Sequence, residues 1–432
     1  MTITAESVAT AAAGLILLRW AAQTVLEWLN RRHAIRSQAG DLSAPLRERV
    51  DAATFRRSVE YTLARSRFHT VEDTVDAVLL LAVLFSGVLP WSYERFGAWW
   101  GHSPWADAVW MLATGIALGA VTLPLRWIEQ FRLEARFGFN TASQRTWWLD
   151  RVKGLWLAVV LATPLLALVL SLVERAGSRW WLWAWLVWVA FQLLMMLIAP
   201  VLLLPLFNRF TPLPEGRLRE RLLRLAARTG FRAGNIQVMD GSRRSRHSNA
   251  FFTGFGRFRK IVLFDTLLEQ LDESELEAVL AHEIAHYQRG HLVKMAAASA
   301  AVSGAGFYAA AWLARQDWFA EAFGFAPGEA APALLICALL AGLISFWFAP
   351  VYRFWLRRCE FEADAFAARV LETAQPLISA LRKLTGSNLA NLAPHPLYGV
   401  FHHSHPTLLE REQALATVTP AAAPPQPEQQ TL

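Results

Sequence analysis

The sequence predicts a mainly α, polytopic membrane protein with one small α/β unit set between its spans. Three observations predict it. Hydrophobic residues make up 54% of the 432 residues and charged residues only 18%, with 20 Trp; a soluble chain carries about a quarter charged residues. The apolar residues fall into seven blocks of roughly membrane-crossing length. The segments between blocks alternate between strongly and weakly basic, the pattern that charge imposes on a chain threaded through a bilayer.

The blocks are 8–29, 75–91, 108–125, 154–173, 180–206, 296–313 and 330–351. The fifth carries no charge. The first is the weakest, because it holds Arg19 and Glu27, which are eight residues apart on one helical face. Two readings stay open for them. They face a wet interior or a partner, or the span is short or tilted and both groups snorkel. Gly115 and Gly119 form a GxxxG in the third block, compatible with close helix packing.

Nine Arg lie between Arg31 and Arg67, after the first block. Arg126, Arg132, Arg136, Arg145, Arg151 and Lys153 follow the third. The second connection holds only Arg95, the fourth Arg175 and Arg179, and the sixth Arg315. Basic segments stay cytoplasmic, so seven spans with the N-terminus outside are expected. Residues 208–294 and those after the seventh block then share the cytoplasmic side. The net charge of +7 sits beside apolar blocks, which points to lipid headgroups and not to nucleic acid. Two cysteines imply no disulfide framework. The first 14 residues hold Glu6 and no basic residue, unlike a cleavable signal peptide.

Residues 208–294 read as the α/β unit. Positions 215–228 have helical periodicity, 236–239 and 261–264 read as strands, and 249–254 as an edge strand. Asp272 and Glu275 have capping-box spacing at the start of a helix over 272–287. Residues from Thr419 are rich in Pro, Ala and Gln and are expected to be disordered.

That helix ends in His282-Glu283-Ile284-Ala285-His286. Residues four apart share a helical face, so both imidazoles can reach one metal ion, with Glu283 placed to take a proton from water. A catalytic zinc needs a third protein ligand and an open position. Glu360-Phe361-Glu362-Ala363-Asp364, after the seventh block, offers it. Glu360 can bind the metal, while Asp364, four residues on, can accept from the distal N–H of a liganding His. Glu362 points away, and His291 falls off the ligand face and reads as structural. Cys359 is a free thiol beside a better-placed carboxylate. The stretch Ser245 to Phe252 can pair as an edge strand with an extended substrate, with Asn249 adding a side-chain hydrogen bond. One of His402, His403 and His405 can donate to a developing oxyanion; spacing does not choose among them.

The chain resembles the type 1 CAAX prenyl proteases, integral-membrane zinc endopeptidases. The resemblance rests on Phe137-Gly138-Phe139-Asn140, Pro205-Leu206-Phe207-Asn208, His247-Ser248-Asn249-Ala250, His282 to His286, Glu360 to Asp364, Pro396-Leu397-Tyr398 and Ser404-His405-Pro406. It is clearest over residues 132–415. It implies zinc, one ion per chain, on His282, His286 and Glu360, and Glu283 as general base. It also implies Asn249 on the substrate and His405 at the substrate carbonyl. It further implies a ring of seven spanning helices around a water-filled intramembrane chamber, with a zincin-like protease unit at its cytoplasmic rim. The substrate class implied is an extended, membrane-associated or CAAX-type prenylated peptide. The Arg- and Ala-rich composition looks bacterial, placing the protein in the plasma membrane; a eukaryotic member would sit in the endoplasmic reticulum.

The expected organisation is a membrane region 1–207, a protease unit 208–294, two further spans 295–352, a segment 353–418 completing the zinc site and a tail 419–432. Alternatives are a quality-control protease of membrane proteins, or a non-proteolytic chamber for lipid binding or transport with a structural zinc.

Overall fold

The computed structural model describes residues 3–39, 50–231, 235–253 and 260–418. The expected tail from Thr419, and Gly254 at the end of the expected edge strand, lie outside these.

Long helices dominate. They are α1 (Ala5–Ala39), α2 (Ala52–Phe85), α3 (Val88–Trp100), α4 (Pro104–Ile128), α5 (Gln144–Arg175) and α6 (Trp180–Ile198). After the α/β unit come α10 (His291–Leu313) and α11 (Ala330–Val370). Among the described residues six helices are long and apolar enough to cross a membrane, or seven if the bent pair α2–α3 counts as one span. Their apolar side chains face outward: the most apolar stretch of residues 177–207 has none of its residues buried within the chain. In water that surface would drive aggregation; in lipid it needs no cover.

The second expected span differs from its prediction. The 75–91 block is not one straight helix, because the chain bends by 57° between α2 and α3. Gly87 sits there at φ 77°, a left-handed conformation that a side chain would resist. Residues 180–206 also form more than one regular helix, since a wide π turn runs over Ala199–Leu203. Pro200 has no N–H to donate at that point.

Arg19 and Glu27 both turn inward. Glu27 is buried and accepts from the Ser66 hydroxyl and, at 3.4 Å, from Tyr398 Oη. Arg19 lies 5.8 Å from the Phe346 ring centroid. Inward partners therefore accommodate Glu27, while Arg19 turns to the Phe346 ring with its Nε buried and without a hydrogen-bond partner.

The α/β unit contains β1 (Phe210–Pro212), α7 (Arg217–Arg228), β2 (Asn235–Met239), β3 (Ala250–Thr253), β4 (Lys260–Phe264), α8 (Asp265–Gln270) and α9 (Glu273–Gln288). The sheet order is β1-β2-β4-β3, with β2 and β4 parallel and the outer pairs antiparallel. β3 is therefore an edge strand, as its composition predicts. The three-residue β1 escapes sequence reading because it is too short to show alternation.

After α11 come α12 (Gln375–Ser387), α13 (Pro396–His402) and α14 (Leu408–Ala416). α12 and α14 add buried residues to the core formed with the sheet and α9, while α13 packs on α11 and α1. α9 is buried along most of its length and packs on α11. Fully buried Ala278, Ala281 and Ala285 on α9, and Ala363 and Ala367 on α11, allow the two backbones to approach closely.

The capping box forms as read. Asp272 accepts from the backbone N–H groups of Ser274 and Glu275 at 2.8 and 2.9 Å, and Glu275 Oε2 accepts from Asp272 N–H at 2.9 Å. Glu275 also receives Ser379 Oγ at 2.6 Å and Lys383 Nζ at 2.7 Å, which ties the start of α9 to α12. Asp272→Ala is expected to cost about 1 kcal/mol. Hydrogen exchange should show faster opening of the first turn of α9; unchanged protection there would contradict it.

Candidate active site

Two buried helices supply the central side chains. α9 carries His282, Glu283 and His286, and α11 carries Glu360 and Asp364 beyond its apolar stretch. The three expected ligands converge. His282, His286 and Glu360 each offer one atom, and the three atoms lie within 4.8 Å of one another. The two Nε2 atoms are 3.2 Å apart. Glu360 Oε2 is 3.5 Å from His282 Nε2, and Oε1 is 3.4 Å from His286 Nε2. Ligands on one tetrahedral zinc with bonds near 2.0–2.1 Å stand about 3.3 Å apart.

The donor chemistry fits a cation at this point. Two imidazole lone pairs facing each other repel unless something positive lies between them. Glu360 Oε2 is buried and accepts no well-directed hydrogen bond, although His405 Nδ1 is 2.7 Å away. Burial lowers the basicity of His282, yet its hydrogen bonds with Asp364 and Glu360 outweigh that and raise it to about 9. The site thus stabilises positive charge where a metal would sit.

Asp364 supports His282. Its Oδ1 is 2.8 Å from His282 Nδ1, which fixes the ring with Nε2 toward Glu360. Arg411, which sequence reading overlooked, holds Asp364 in turn: Nη2 donates to Oδ1 at 2.5 Å and Nε to Oδ2 at 2.7 Å. A signal for it existed. Arg411 lies in the same helical stripe as the buried Leu408 and Leu415 of α14, and an Arg in an apolar stripe is buried only when paired.

Glu283 lines a cavity of about 480 Å³ together with Asn249, His282, Glu360 and His405. Burial pushes its carboxyl above the ordinary range, although His282 and His286 pull the other way. A carboxylate raised in this way is suited to carry a proton between two partners.

Asn249 sits just before β3. Its Oδ1 accepts from Ala250 N–H at 2.8 Å, and its backbone carbonyl accepts from Phe264 N–H at 3.1 Å. Its side-chain NH₂ has no partner among the described residues. Residues ahead of it are firmly held. The His247 ring stacks on Phe139 with centroids 4.0 Å apart, and its Nδ1 is 3.2 Å from Asn388 Oδ1. Arg246 N–H donates to Phe139 O at 3.0 Å. Two of the sequence motifs thus pack on each other and aim a third element at the cavity. Arg244, also overlooked, joins Asp150 at 2.8 Å to Asn208 at 3.0 Å.

Of the three downstream imidazoles, His405 reaches the ligand set through Glu360 and is well exposed. Burial pulls His402 down to about 4 and lowers His403 as well. Both line the same cavity and a second polar one of about 500 Å³ beside Glu27. Spacing puts His291 off the ligand face, and it is not among the three converging donors. It nonetheless lies 3.0 Å from His286, Nδ1 to Nδ1.

Comparison with known proteins covers nearly the whole chain. The family model for the CAAX prenyl protease N-terminal region, described as five membrane helices, matches residues 31–209, and that for peptidase family M48 matches residues 212–419. A CAAX prenyl protease 1 homolog of Arabidopsis thaliana is 36% identical over 85% of this chain and 88% of its own length. CAAX prenyl protease 1 of Saccharomyces cerevisiae is 33% identical over 87% and 88%. The Homo sapiens homolog is 30% identical over 94% and 95%. The crystal structure of S. mikatae Ste24p superposes with a TM-score of 0.88 at 28% identity, covering 96% of this chain and 100% of that one.

Proposed function

The chain belongs to peptidase family M48, among the multi-pass membrane metalloendopeptidases of the CAAX prenyl protease type, and from that premise we propose that it cleaves prenylated CAAX-type peptides. One zinc ion would be held by His282, His286 and Glu360. The observation that carries this reading is the convergence of three ligand atoms from two distant segments beside a cavity lined by His282, Glu360, Asn249 and Glu283.

An extended substrate adds to the outer edge of β3, its backbone matched by strand hydrogen bonds and by the Asn249 NH₂. A zinc ion held by His282, His286 and Glu360 would supply Lewis-acid chemistry for the scissile carbonyl and the attacking water. Glu283 takes the proton of the attacking water and delivers it to the leaving amine. Asp364 keeps His282 in its ligating tautomer. His405, whose Nδ1 lies 2.7 Å from Glu360, offers a ring N–H to the developing oxyanion. The polar cavity beside Glu27 supports the expectation of water between the spans. The distribution of Arg supports a cytoplasmic active site and an outward N-terminus.

The experiment compares farnesylated and unmodified peptides ending in a CAAX sequence, using the purified full chain with zinc. Cleavage of the farnesylated peptide alone is expected. Equal cleavage of both would favour a broad quality-control protease. Cleavage of neither, together with no change in membrane peptides between cells carrying the active protein and cells carrying Glu283→Gln, would overturn the proteolytic reading.

A further inference from the structure

The two imidazoles of the candidate zinc site have unlike supports. His282 meets a carboxylate directly, the Arg411-paired Asp364. His286 meets another imidazole. Its Nδ1 is 3.0 Å from His291 Nδ1, and His291 Nε2 is 3.3 Å from Glu362 Oε2. His291 is wholly buried, so water does not compete for its ring nitrogens. Glu362 is half-exposed and is steadied by Arg358 at 3.4 Å.

We propose that His291 and Glu362 are positioning residues for the metal site, forming an outer arm that fixes His286 in the tautomer that ligates. The inference rests on the zinc reading above. A neutral His286 that offers the Nε2 lone pair to a metal carries its proton on Nδ1. That N–H needs an acceptor, and the atom facing it is Nδ1 of His291. A neutral His291 that accepts there carries its own proton on Nε2, where Glu362 accepts it. Each of the three groups fixes the next, and no charge is added to the buried ring.

The connectivity makes the arm more than a local contact. His291 is the first residue of α10, one of the apolar helices long enough to span a membrane. Gly290 before it has φ 64°, which lets the chain leave α9 and turn at once into α10. Glu362 lies on α11, two residues after the ligand Glu360. One side chain therefore links the helix bearing both His ligands, a membrane helix and the helix bearing the third ligand. Helical spacing alone does not reveal this, because His291 is outside the helix on which its register would be counted.

The test measures zinc affinity of the full-length protein in detergent, by competition with a chromogenic chelator, and the visible spectrum of the cobalt-substituted protein. His291→Leu fills the space and removes the acceptor. Zinc binding is expected to weaken by about 10- to 100-fold, with a changed cobalt spectrum. His291→Gln retains an amide oxygen to accept from His286 and an NH₂ to donate to Glu362. It is expected to stay within about threefold of wild type, because both hydrogen bonds of the arm are kept. Binding by His291→Leu within that same margin overturns the arm, and so does His291→Gln binding as weakly as His291→Leu. If His291→Leu does not fold, Glu362→Leu at the exposed end decides: a loss beyond that margin upholds the arm, and a smaller one overturns it. Wild-type protein that binds no zinc would instead sink the metal reading, a failure distinguishable from this one.

Discussion

Glu283→Gln is expected to abolish peptide hydrolysis while leaving zinc in place. Glutamine matches glutamate in shape and keeps one acceptor oxygen, so the cavity it lines beside Asn249 and His405 should not rearrange. What it loses is the ability to take a proton. Burial holds the Glu283 carboxyl above its ordinary range, which brings its proton affinity nearer to the working pH and makes both uptake and release feasible within one turnover. Positioned general acid–base catalysis contributes about 10²- to 10⁴-fold, so kcat should fall by at least about that lower bound. Zinc content should not fall, because the three converging donors are His282, His286 and Glu360. Two measurements on one sample decide the matter: zinc per chain and turnover of a farnesylated peptide. Normal turnover with zinc present would remove Glu283 from the role of base. Lost zinc would make it a ligand.

The parts of this protein that were legible in the sequence are those set by local spacing. The HExxH register placed two imidazoles on one face, and the ExxxD register did the same for Glu360 and Asp364. Asp272 and Glu275 marked a helix start to the residue. The strands at 236–239 and 261–264 each begin one residue earlier than read. What was not legible depends on partners far along the chain. Glu27 is buried only because Ser66, His69 and Tyr398 come to it from α2 and α13. Spacing said that Asp364 could support a liganding His but not which one, and the fold chose His282. The bend at Gly87 was hidden because apolar residues continue on both sides of it, so hydropathy saw one block where the backbone makes two helices. His291 was counted on a helix that has already ended by Arg289. Each miss follows from the same cause: periodicity describes one element, and these residues act between elements.

Arg411 shows how much such a contact can be worth. Arg411→Met is expected to destabilise the site by about 3–5 kcal/mol, because it leaves a buried carboxylate without its cation. Asp364 is 1% exposed and Arg411 9% exposed, so water cannot replace the lost partner. Arg411 also lies 3.8 Å from Glu360 Oε2, which concentrates the loss at the three converging donors. The exposed pair Arg219–Glu215 at 3.4 Å makes the contrast; breaking it should cost less than about 1 kcal/mol, since solvent screens both charges. The double variant Asp364→Asn/Arg411→Met separates charge from shape. Asparagine can still accept from His282 Nδ1–H but leaves no buried charge behind. The pair should therefore be more stable than Arg411→Met alone, even though one more native group has been removed. Thermal inactivation half-lives of the four proteins of this cycle, each measured with and without added zinc, provide the test. Strictly additive effects would show that Asp364 and Arg411 act independently and would refute the buried ion pair as the support of His282. Zinc should protect wild type most and Arg411→Met least, because Arg411 holds both oxygens of Asp364 and so keeps Oδ1 aimed at the ring on which the metal would draw.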